Sequence, residues 1–404
     1  MSELKYSLVN IEVDWKTLEE VCVFQNGKGH EKDVNHEGKF IVVNSKFIST
    51  EGRIVKYSHK QICPLFVDDV LIVMSDLPNG KALAKTFLVE ENKKYTLNQR
   101  IGGITIKNKS ELLPKFFNYY INRTQQLLRF NNGVDQTNLR KKQILDVKIP
   151  IPSLKIQKEI VRVLDTFTEL TAELTAELTS RKKQYNYYRE QLLIFDEKEV
   201  KHLPMDDENV GEFIRGKRFV KTDMISEGVP CIHYGEMYTH YNTWADKTKS
   251  FVSKDLVKKK KLRLAEKGDV VIVAAGETIE EIGQGTAWLG EKGAVIHDAC
   301  FYYKSDLNPK YVAYFTRTRQ FHDQIKKHIR TGKISAINAK GLGKAIIPIP
   351  PIEEQERIVT ILDKFDILTT SISEGLPREI ELRKKQYKYY RNKLLTFPKD
   401  VLEV

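Results

Sequence analysis

Two pairs of hydrogen-bonding side chains occupy matching places in the two halves of this 404-residue sequence. Asn98 and Gln99 match His297 and Asp298 at an offset of 297 − 98 = 199, and each pair follows a strand-like stretch. Asparagine and glutamine can pair in a bidentate way with the edge of adenine, and they also form turns. The spacing therefore indicates either two base-reading loops or two equivalent turns.

Basic residues flank a glycine at corresponding places in the two halves. Gly27 matches Gly216 at an offset of 216 − 27 = 189, within a short stretch of similar sequence. The basic residues beside these glycines are Lys28, Arg215, Lys217 and Arg218. Cations in such turns are suited to contacts with phosphate.

Two further loops, 133–138 and 332–338, follow a late helix predicted in each half. The polar candidates in them are Gln136, Asn138, Lys333, Ser335 and Asn338. The four lysines at 258–261 could also touch phosphate, although an exposed charge run is as often only solvated.

Short motifs similar to those of catalytic sites are present, but each lacks part of the full pattern. Asn-Pro-Lys-Tyr at 308–311 has lysine where the base-binding loop of an adenine methyltransferase has a second proline, and Asn-Pro is typical of a helix start. Gly-Gln-Gly at 283–285 lacks the strand-turn-helix context of a dinucleotide site, and no Gly-Lys pair has the rest of a P-loop. The chain is therefore predicted to be non-catalytic, with no metal site and no bound cofactor.

An internal repeat sets the architecture. The segment IPIPSLKIQKEIVRVLDTF at 149–167 recurs as IPIPPIEEQERIVTILDKF at 347–365, at an offset of 347 − 149 = 198. The segment RKKQYNYYREQLL at 181–193 recurs as RKKQYKYYRNKLL at 383–395, at an offset of 383 − 181 = 202. The two offsets differ by four residues, close to one helical turn, as expected of a length change inside a helix.

In the first copy of the repeat, from the segment at 149–167 to the segment at 181–193, apolar residues recur alternately four and three positions apart. This spacing predicts a helix of about 40 residues with a coiled-coil seam. The residues predicted to form the seams and to dock partner subunits are Leu164, Phe167, Leu174, Leu178, Tyr185, Tyr188, Leu362, Phe365, Tyr387 and Tyr390. The tyrosines could alternatively stack on bases. In the second copy, Gly375 and Pro377 predict a break or kink before the last helical stretch.

Each repeated helix is preceded by a region with short β-branched runs and a late helix. The run DVLIV at 69–73 matches DVVIV at 269–273, and the late helices are predicted at 113–130 and 309–329. The four cysteines lie far apart and are predicted to be core residues.

These patterns predict an α+β fold with a pseudo-twofold internal repeat. Two globular domains are joined by two long antiparallel coiled-coil helices. The predicted bounds are 1–150 and 198–348 for the domains, and 151–197 and 349–404 for the helical regions.

The net charge of 66 − 54 = +12 is concentrated in the two domains. Residues 1–154 carry 23 basic and 17 acidic side chains and residues 196–352 carry 26 and 21, so the two regions hold +6 and +5. Two basic units joined by matched helices suit a bipartite site on double-stranded DNA. The chain has neither a membrane-length apolar run nor a signal-peptide layout at its start, and we expect a cytoplasmic protein without a membrane partner.

The repeated blocks, the TAELTAEL tandem at 171–178 and the stretch EGLPREIELRKKQYKYY together resemble the specificity subunit of type I restriction-modification enzymes. The similarity is to the class with TAEL repeats in the central conserved helix, and it covers essentially the whole chain. The helical motifs match strongly, whereas the domains in front of them match weakly.

The resemblance implies a non-catalytic subunit with two target recognition domains, each reading one half of a split DNA sequence. It implies as partners two modification subunits, which bind S-adenosylmethionine and methylate adenine, and two restriction subunits, a motor-nuclease that uses ATP and Mg²⁺. It also implies that the number of TAEL repeats tunes the spacer between the half-sites.

Two other classes of protein remain open from the residues alone. A coiled-coil scaffold or non-specific nucleic-acid-binding protein would bind without base preference. An enzyme would show activity as an isolated chain with S-adenosylmethionine or a divalent metal.

Overall fold

A computed structural model describes residues 13–30, 32–78, 81–371 and 373–398 of the chain. The chain divides into two compact units. The first unit combines the described residues up to Glu173 with those from Ile380 onward, and the second unit is Leu174–Glu379. In the described part of the chain, no helix is both long and apolar enough to span a bilayer.

The first unit is built on a sheet with the strand order β2-β9-β5-β7 and a smaller sheet with the order β4-β3-β8. Two short ribbons, β1-β11 and β6-β10, complete it. Its described strands are β1 (Asp14–Thr17), β2 (Cys22–Asn26), β3 (Phe40–Val43), β4 (Tyr57–Ser58), β5 (Val70–Val73), β6 (Ser75–Asp76), β7 (Thr86–Leu88), β8 (Tyr95–Leu97), β9 (Ile101–Ile106), β10 (Thr137–Asn138) and β11 (Lys148–Ile151). Its short helices are Leu18–Val21, Ser45–Ser49, Pro114–Ile121, Gln125–Leu128 and Lys141–Leu145.

The second unit repeats this plan with larger sheets, in the orders β13-β23-β19-β21-β16 and β14-β17-β15-β22-β18. Its ribbons are β12-β25 and β20-β24. Its described strands are β12 (Lys201–Pro204), β13 (Gly211–Arg215), β14 (Met224–Ile225), β15 (Val229–Ile232), β16 (Trp244–Ala245), β17 (Ser250–Val252), β18 (Leu264–Ala265), β19 (Val270–Val273), β20 (Ala275–Gly276), β21 (Gly285–Trp288), β22 (Ala294–Ile296), β23 (Cys300–Ser305), β24 (Ser335–Ala336) and β25 (Ile346–Ile349). Its helices are Tyr234–Thr239, Lys254–Lys260, Pro309–Phe315, Arg319–Lys326, Ala339–Gly343 and Ile352–Thr370, with 3-10 turns at Lys221–Asp223 and Ile279–Glu281.

The central strand of each main sheet comes from the matched apolar runs. The strands β5 and β19 are buried along their whole length and pair on both sides with antiparallel neighbours, because their four consecutive apolar residues leave no polar face for solvent. The mixture of helices and sheets and the repeated plan confirm the predicted α+β class with an internal repeat. All four cysteines are buried, as predicted.

The late helix predicted in each half is instead a pair of short helices. In the first unit the break follows Pro114–Ile121, where Arg123 adopts a left-handed φ of 54° that no helix can continue. In the second unit Thr318 is extended and its hydroxyl accepts a hydrogen bond from Phe321 N at 3.3 Å, so it caps a new helix. A left-handed residue in one unit and a helix cap in the other therefore interrupt the helix that the continuous apolar pattern predicts.

The long helices follow the repeat closely. The central helix spans Leu154–Leu192, 39 residues, and begins two residues after Pro152. The C-terminal region forms Ile352–Thr370 and Leu376–Leu394, with the interruption in front of Gly375 that the sequence predicts. Pro377 lies in the first turn of the last helix, where it has no backbone hydrogen bond to lose.

In each unit, aromatic side chains of the central helix stack on aromatic side chains of the C-terminal helical region. In the first unit Phe167 stacks on Tyr390 with ring centroids 5.3 Å apart. In the second unit Tyr185 and Tyr188 stack on Phe365 at 6.4 and 5.4 Å. The other predicted seam residues divide into the buried Leu164 and Leu362 and the half-buried Leu174, Leu178 and Tyr387.

The repeated IPIP-QxxIVxxLDxF motif has a physical role that its sequence did not reveal. The buried Gln157 side chain donates to Glu111 O and Pro152 O and accepts from Leu113 N, all within 2.8 Å. Gln355 accepts from Asn308 N at 2.8 Å and donates to Pro350 O at 2.9 Å in the second unit. Each glutamine thus ties the start of a long helix to the start of the late helix.

The aspartate of the same motif makes a second matched connection. Asp165 accepts from Tyr119 Oη at 2.6 Å and pairs with Lys115 at 2.8 Å. Asp363 accepts from Tyr314 Oη and pairs with Lys310, both at 2.7 Å. The two identical polar residues of the motif are therefore attachment points between each long helix and the globular part of its unit.

Replacing Gln157 with leucine should destabilise the first unit by about 2–4 kcal/mol, because each buried polar group left without a partner costs roughly 1–3 kcal/mol. The measurement is urea unfolding of the full chain, followed by the fluorescence of Trp15 in this unit. Gln184→Leu alters an exposed glutamine of the same helix and should change stability little. Equal losses in the two variants would contradict the proposed attachment.

Candidate nucleic-acid interface

Four backbone hydrogen bonds build the same edge of the main sheet in both units. In the first unit, Lys28 N donates to Leu97 O, Gly27 N to Ile101 O, Met74 N to Arg100 O, and Leu139 N to Met74 O, at 2.7–3.2 Å. In the second unit, Lys217 N donates to Ile296 O, Gly216 N to Cys300 O, Ala274 N to Ala299 O, and Ile337 N to Ala274 O, at 2.8–3.0 Å. We call these two places the first and the second polar edge.

The glycine in each polar edge permits a close approach of two chain segments. A Cβ at Gly27 would lie 1.9 Å from Asn98 O, and one at Gly216 would lie 2.3 Å from His297 O. A side chain cannot fit at such distances, so glycine is required for the contact. In the first unit the structure therefore brings Gly27 and Lys28 against Asn98 and Gln99. In the second unit it brings Gly216 and Lys217 against His297 and Asp298, in agreement with the two offsets seen in the sequence.

The first polar edge presents amide and cationic side chains. Lys28, Gln99 and Gln136 are exposed and Asn98 is half-buried, its Oδ1 accepting from His30 N at 3.2 Å. Gln136 Nε2 donates to Ser75 Oγ at 2.8 Å and to Asn138 Oδ1 at 3.3 Å, which places the later loop on the same edge. This edge offers several donors and acceptors to a ligand, as base edges require.

The second polar edge is more cationic. Arg215 and Arg218 are exposed, and Arg215 Nε donates to Asp298 O at 3.0 Å. Ser335 pairs with Gly276 in the ribbon β20-β24, which brings the second loop to this edge. Within the described part of the chain, no carboxylate lies within ion-pair distance of Lys28, Lys217 or Arg218. Unpaired cations on both edges suit a polyanionic ligand.

Some predicted residues have mainly structural contacts. His297 is only 9% exposed, and its Nδ1 accepts from Ala299 N at 3.1 Å. Asn338 Oδ1 caps the helix Ala339–Gly343 by accepting from Gly341 N at 2.8 Å. Lys333 is exposed on its loop. Contact of any of these residues with DNA stays a prediction.

An aromatic cluster supports the second polar edge from inside. The His297 ring lies 4.5 Å from His233 and 5.2 Å from Phe219, measured between ring centroids. Burial lowers the pKa of both histidines below their ordinary value of 6.5, and the neighbouring His233 lowers the pKa of His297 further. Both imidazoles are therefore neutral at neutral pH.

The free energy of unfolding of the second unit should fall as the pH drops below about 6.5. The unfolded chain takes up protons there that the folded His233 and His297 do not accept, so acid favours unfolding. Urea unfolding at a series of pH values measures this dependence. The H233Q/H297Q variant should show a flatter dependence, with a remainder from His322, whose pKa is also lowered by burial. An unchanged slope in the variant would contradict the assignment.

The Asn-Pro-Lys-Tyr motif at 308–311 has a structural explanation. Asn308 Oδ1 accepts from Lys310 N at 3.0 Å and Tyr311 N at 3.3 Å, so the helix-start interpretation is confirmed. Among the described residues, no group of three or more metal-ligating side chains converges. A cavity of about 460 Å³ lies in the second unit between Arg189, Arg317 and His322. None of the described residues that line it takes part in the backbone hydrogen bonds of either polar edge.

Comparison with known proteins defines the family. The model of the type I restriction modification DNA specificity domain matches twice, at residues 10–181 and 206–382. The chain belongs to this family of type I specificity proteins. The double match agrees with the repeated polar edges and the repeated attachment motif.

The similarity extends to individual relatives. The chain is 37% identical to the EcoR124I/EcoR124II specificity subunit of Escherichia coli, over 62% of this chain and 64% of that protein. It is 32% identical to a putative type I restriction enzyme specificity subunit of Haemophilus influenzae, over 98% of both chains. None of these relatives supports the alternative of a coiled-coil scaffold without sequence preference.

Solved structures share the fold at low sequence identity. A chain from a type I restriction-modification system, solved in a study of complex assembly and conformational transition, has a TM-score of 0.63 at 16% identity, covering 96% of this chain and 98% of that chain. The S subunit from M. genitalium has a TM-score of 0.51 at 16% identity, covering 97% of each chain. The two-domain architecture of the family is therefore present here.

Two structural features in and around the candidate site escaped prediction from sequence. Arg100 and Arg263 adjoin the polar edges: Arg100 O accepts from Met74 N, and Arg263 Nη1 donates to Arg215 O at 2.9 Å. No sequence signal distinguishes them. The attachment residues Gln157 and Asp165 could have been found, because both are identical in the two copies of the repeat.

Proposed function

We propose that this chain is the DNA-specificity subunit of a type I restriction-modification complex and reads a split DNA sequence with its two polar edges. One observation carries the proposal. The same four backbone hydrogen bonds build both edges, while the side chains on them differ, with Asn98 and Gln99 in one and His297 and Asp298 in the other. Because the two edges share one backbone arrangement but carry different side chains, each edge would recognise a different DNA sequence.

The division of labour on each edge follows from side-chain chemistry. Lysine and arginine neutralise phosphates and fix the position of the duplex, and amide side chains exchange paired hydrogen bonds with base edges. Lys28, Arg215, Lys217 and Arg218 are assigned to phosphate. Asn98, Gln99, Gln136 and Asn138 are assigned to bases.

The methyl transfer and DNA cleavage belong to partner subunits in this proposal. Two modification subunits supply S-adenosylmethionine and two restriction subunits supply the site for ATP and Mg²⁺. Exposed aromatic residues of the repeated helical blocks, Tyr187 at 61% and Tyr389 at 59% exposure, offer equivalent contact points for a pair of identical partners.

Mapping methylated adenines in the DNA of cells that carry the intact system tests the proposal. Two different short half-sites separated by a fixed number of unread base pairs are expected. A single contiguous motif would contradict two separate reading edges, and absence of any site-specific methylation with active modification subunits would contradict the specificity role.

A further inference from the structure

One helix of the second unit has no counterpart in the first. Lys254–Lys260 lies between β17 and β18, two strands of the sheet with the order β14-β17-β15-β22-β18. In the first unit, the chain between β4 and its central strand β5 is residues 59–69, which are fully described and contain no helix. The lysine run at 258–261 is therefore part of an addition to one recognition unit only.

The cations of this addition face solvent. The side chains concerned are Lys258, Lys259, Lys261 and Arg263, which we call the basic strip, and all four are exposed. Within the described residues none of them has an ion-pair partner, whereas the neighbouring Lys260 pairs with Asp223 at 2.9 Å. Four unpaired cations within six residues repel one another unless an anion is present.

Lys261 occupies a backbone position that favours glycine. It follows the last helical residue with φ 47° and ψ 52°, in the left-handed region. Glycine is the usual residue there because a side chain is strained in that conformation. The helix dipole favours cations in the last helical turn, but Lys261 and Arg263 lie beyond it, so the dipole does not account for the whole strip.

The basic strip is fixed to the second polar edge. Leu256 and Val257 pack on a small hydrophobic cluster that contains Phe219, the residue next to Arg218. The Phe219 ring lies 5.2 Å from that of His297. Arg263 Nη1 donates to Arg215 O at 2.9 Å. These contacts attach the added helix and Arg263 to the segment that carries Arg215 and Arg218.

We propose that the basic strip binds phosphates of the DNA duplex that flanks the half-site read by the second unit. The ligand is the sugar-phosphate backbone outside the recognition sequence, and the binding is independent of base sequence. The inference rests on the proposed function. It adds an asymmetry: the complex contacts more flanking DNA beside the second unit's half-site than beside the first unit's.

The test measures the salt dependence of DNA binding by the full-length chain in its complex with modification subunits. The probes are duplexes that carry the mapped sequence, one with long flanks on both sides and two with one flank removed. For the K258Q/K259Q/K261Q variant, the slope of log K against log salt should fall by about 2–3 units on the long duplex, since each lost phosphate contact removes about 0.9. Preference for both half-sites should be unchanged.

When the flank beside the second unit's half-site is removed, the slope measured for the wild-type complex should fall by about the same 2–3 units. The slope measured for the variant should not fall further on that shortened duplex. The matched control, K326Q/K327Q/K344Q, removes three exposed lysines from the same unit and should keep the wild-type slope. A wild-type slope in the first variant, or an equal loss in the control, overturns the inference. Impaired subunit assembly with an unchanged slope also overturns it and assigns the strip to a protein partner. If the wild-type complex does not discriminate the mapped sequence, the proposed function fails as well.

Discussion

Replacing Asn98 and Gln99 with alanine should relax recognition of one half-site by about 10- to 100-fold and leave the other half-site intact. A bidentate side-chain contact contributes about 1–3 kcal/mol of discrimination against a wrong base. The two residues lie on the first polar edge only, so the second edge keeps its contacts. The measurement is the methylation rate of duplexes with one base pair changed in either half-site.

Two matched variants make this result interpretable. Asn108→Ala removes an exposed asparagine after the opposite end of β9 and should leave recognition unchanged. Arg215→Ala alters the second polar edge and should weaken binding through the other half-site. Equal loss at both half-sites in the N98A/Q99A variant would show a general folding defect and contradict the assignment.

Deleting Thr175–Leu178 should shorten the preferred spacer by one to two base pairs without changing either half-site. The deletion removes about 6 Å of helix, at 1.5 Å per residue, and a base pair rises about 3.4 Å. The segment lies in the middle of the continuous helix Leu154–Leu192, and Thr175, Ala176 and Glu177 are exposed, so few packing contacts are lost. Methylation of a duplex series with graded spacers measures the preference.

The length-preserving variant Thr175→Ala is the control for this deletion. It changes the same segment and should keep the original spacer. A deletion variant that retains the original spacer, or that accepts altered half-sites, would contradict a role of the helix in spacing.

The sequence predicted those parts of the fold that depend on local pattern or on the repeat. The heptad spacing predicted the central helix to within a few residues, because one face of a long helix must be apolar. The matched runs at 69–73 and 269–273 predicted the buried central strands. The offset of 199 predicted the equivalence of Asn98 and His297, which the backbone hydrogen bonds of the two edges now show.

Other features depend on contacts between residues far apart in the sequence. The burial of His297 follows from Phe219 and His233, which no local pattern links to it. The break at Arg123 depends on one left-handed residue within an otherwise helical pattern. The connection of the basic strip to the second polar edge passes through Arg263 and a small hydrophobic cluster, and only the folded chain brings these together.

The matched attachment of recognition domain to helix has an evolutionary consequence. Gln157 and Asp165 use the same partners as Gln355 and Asp363: a late-helix lysine, a late-helix tyrosine and a backbone amide. A recognition domain that keeps this lysine and tyrosine can be attached to either copy of the motif. Homologous recombination through the repeated segments could therefore exchange one domain for another in a single event, and the cell would inherit a new target sequence without any change in the partner subunits.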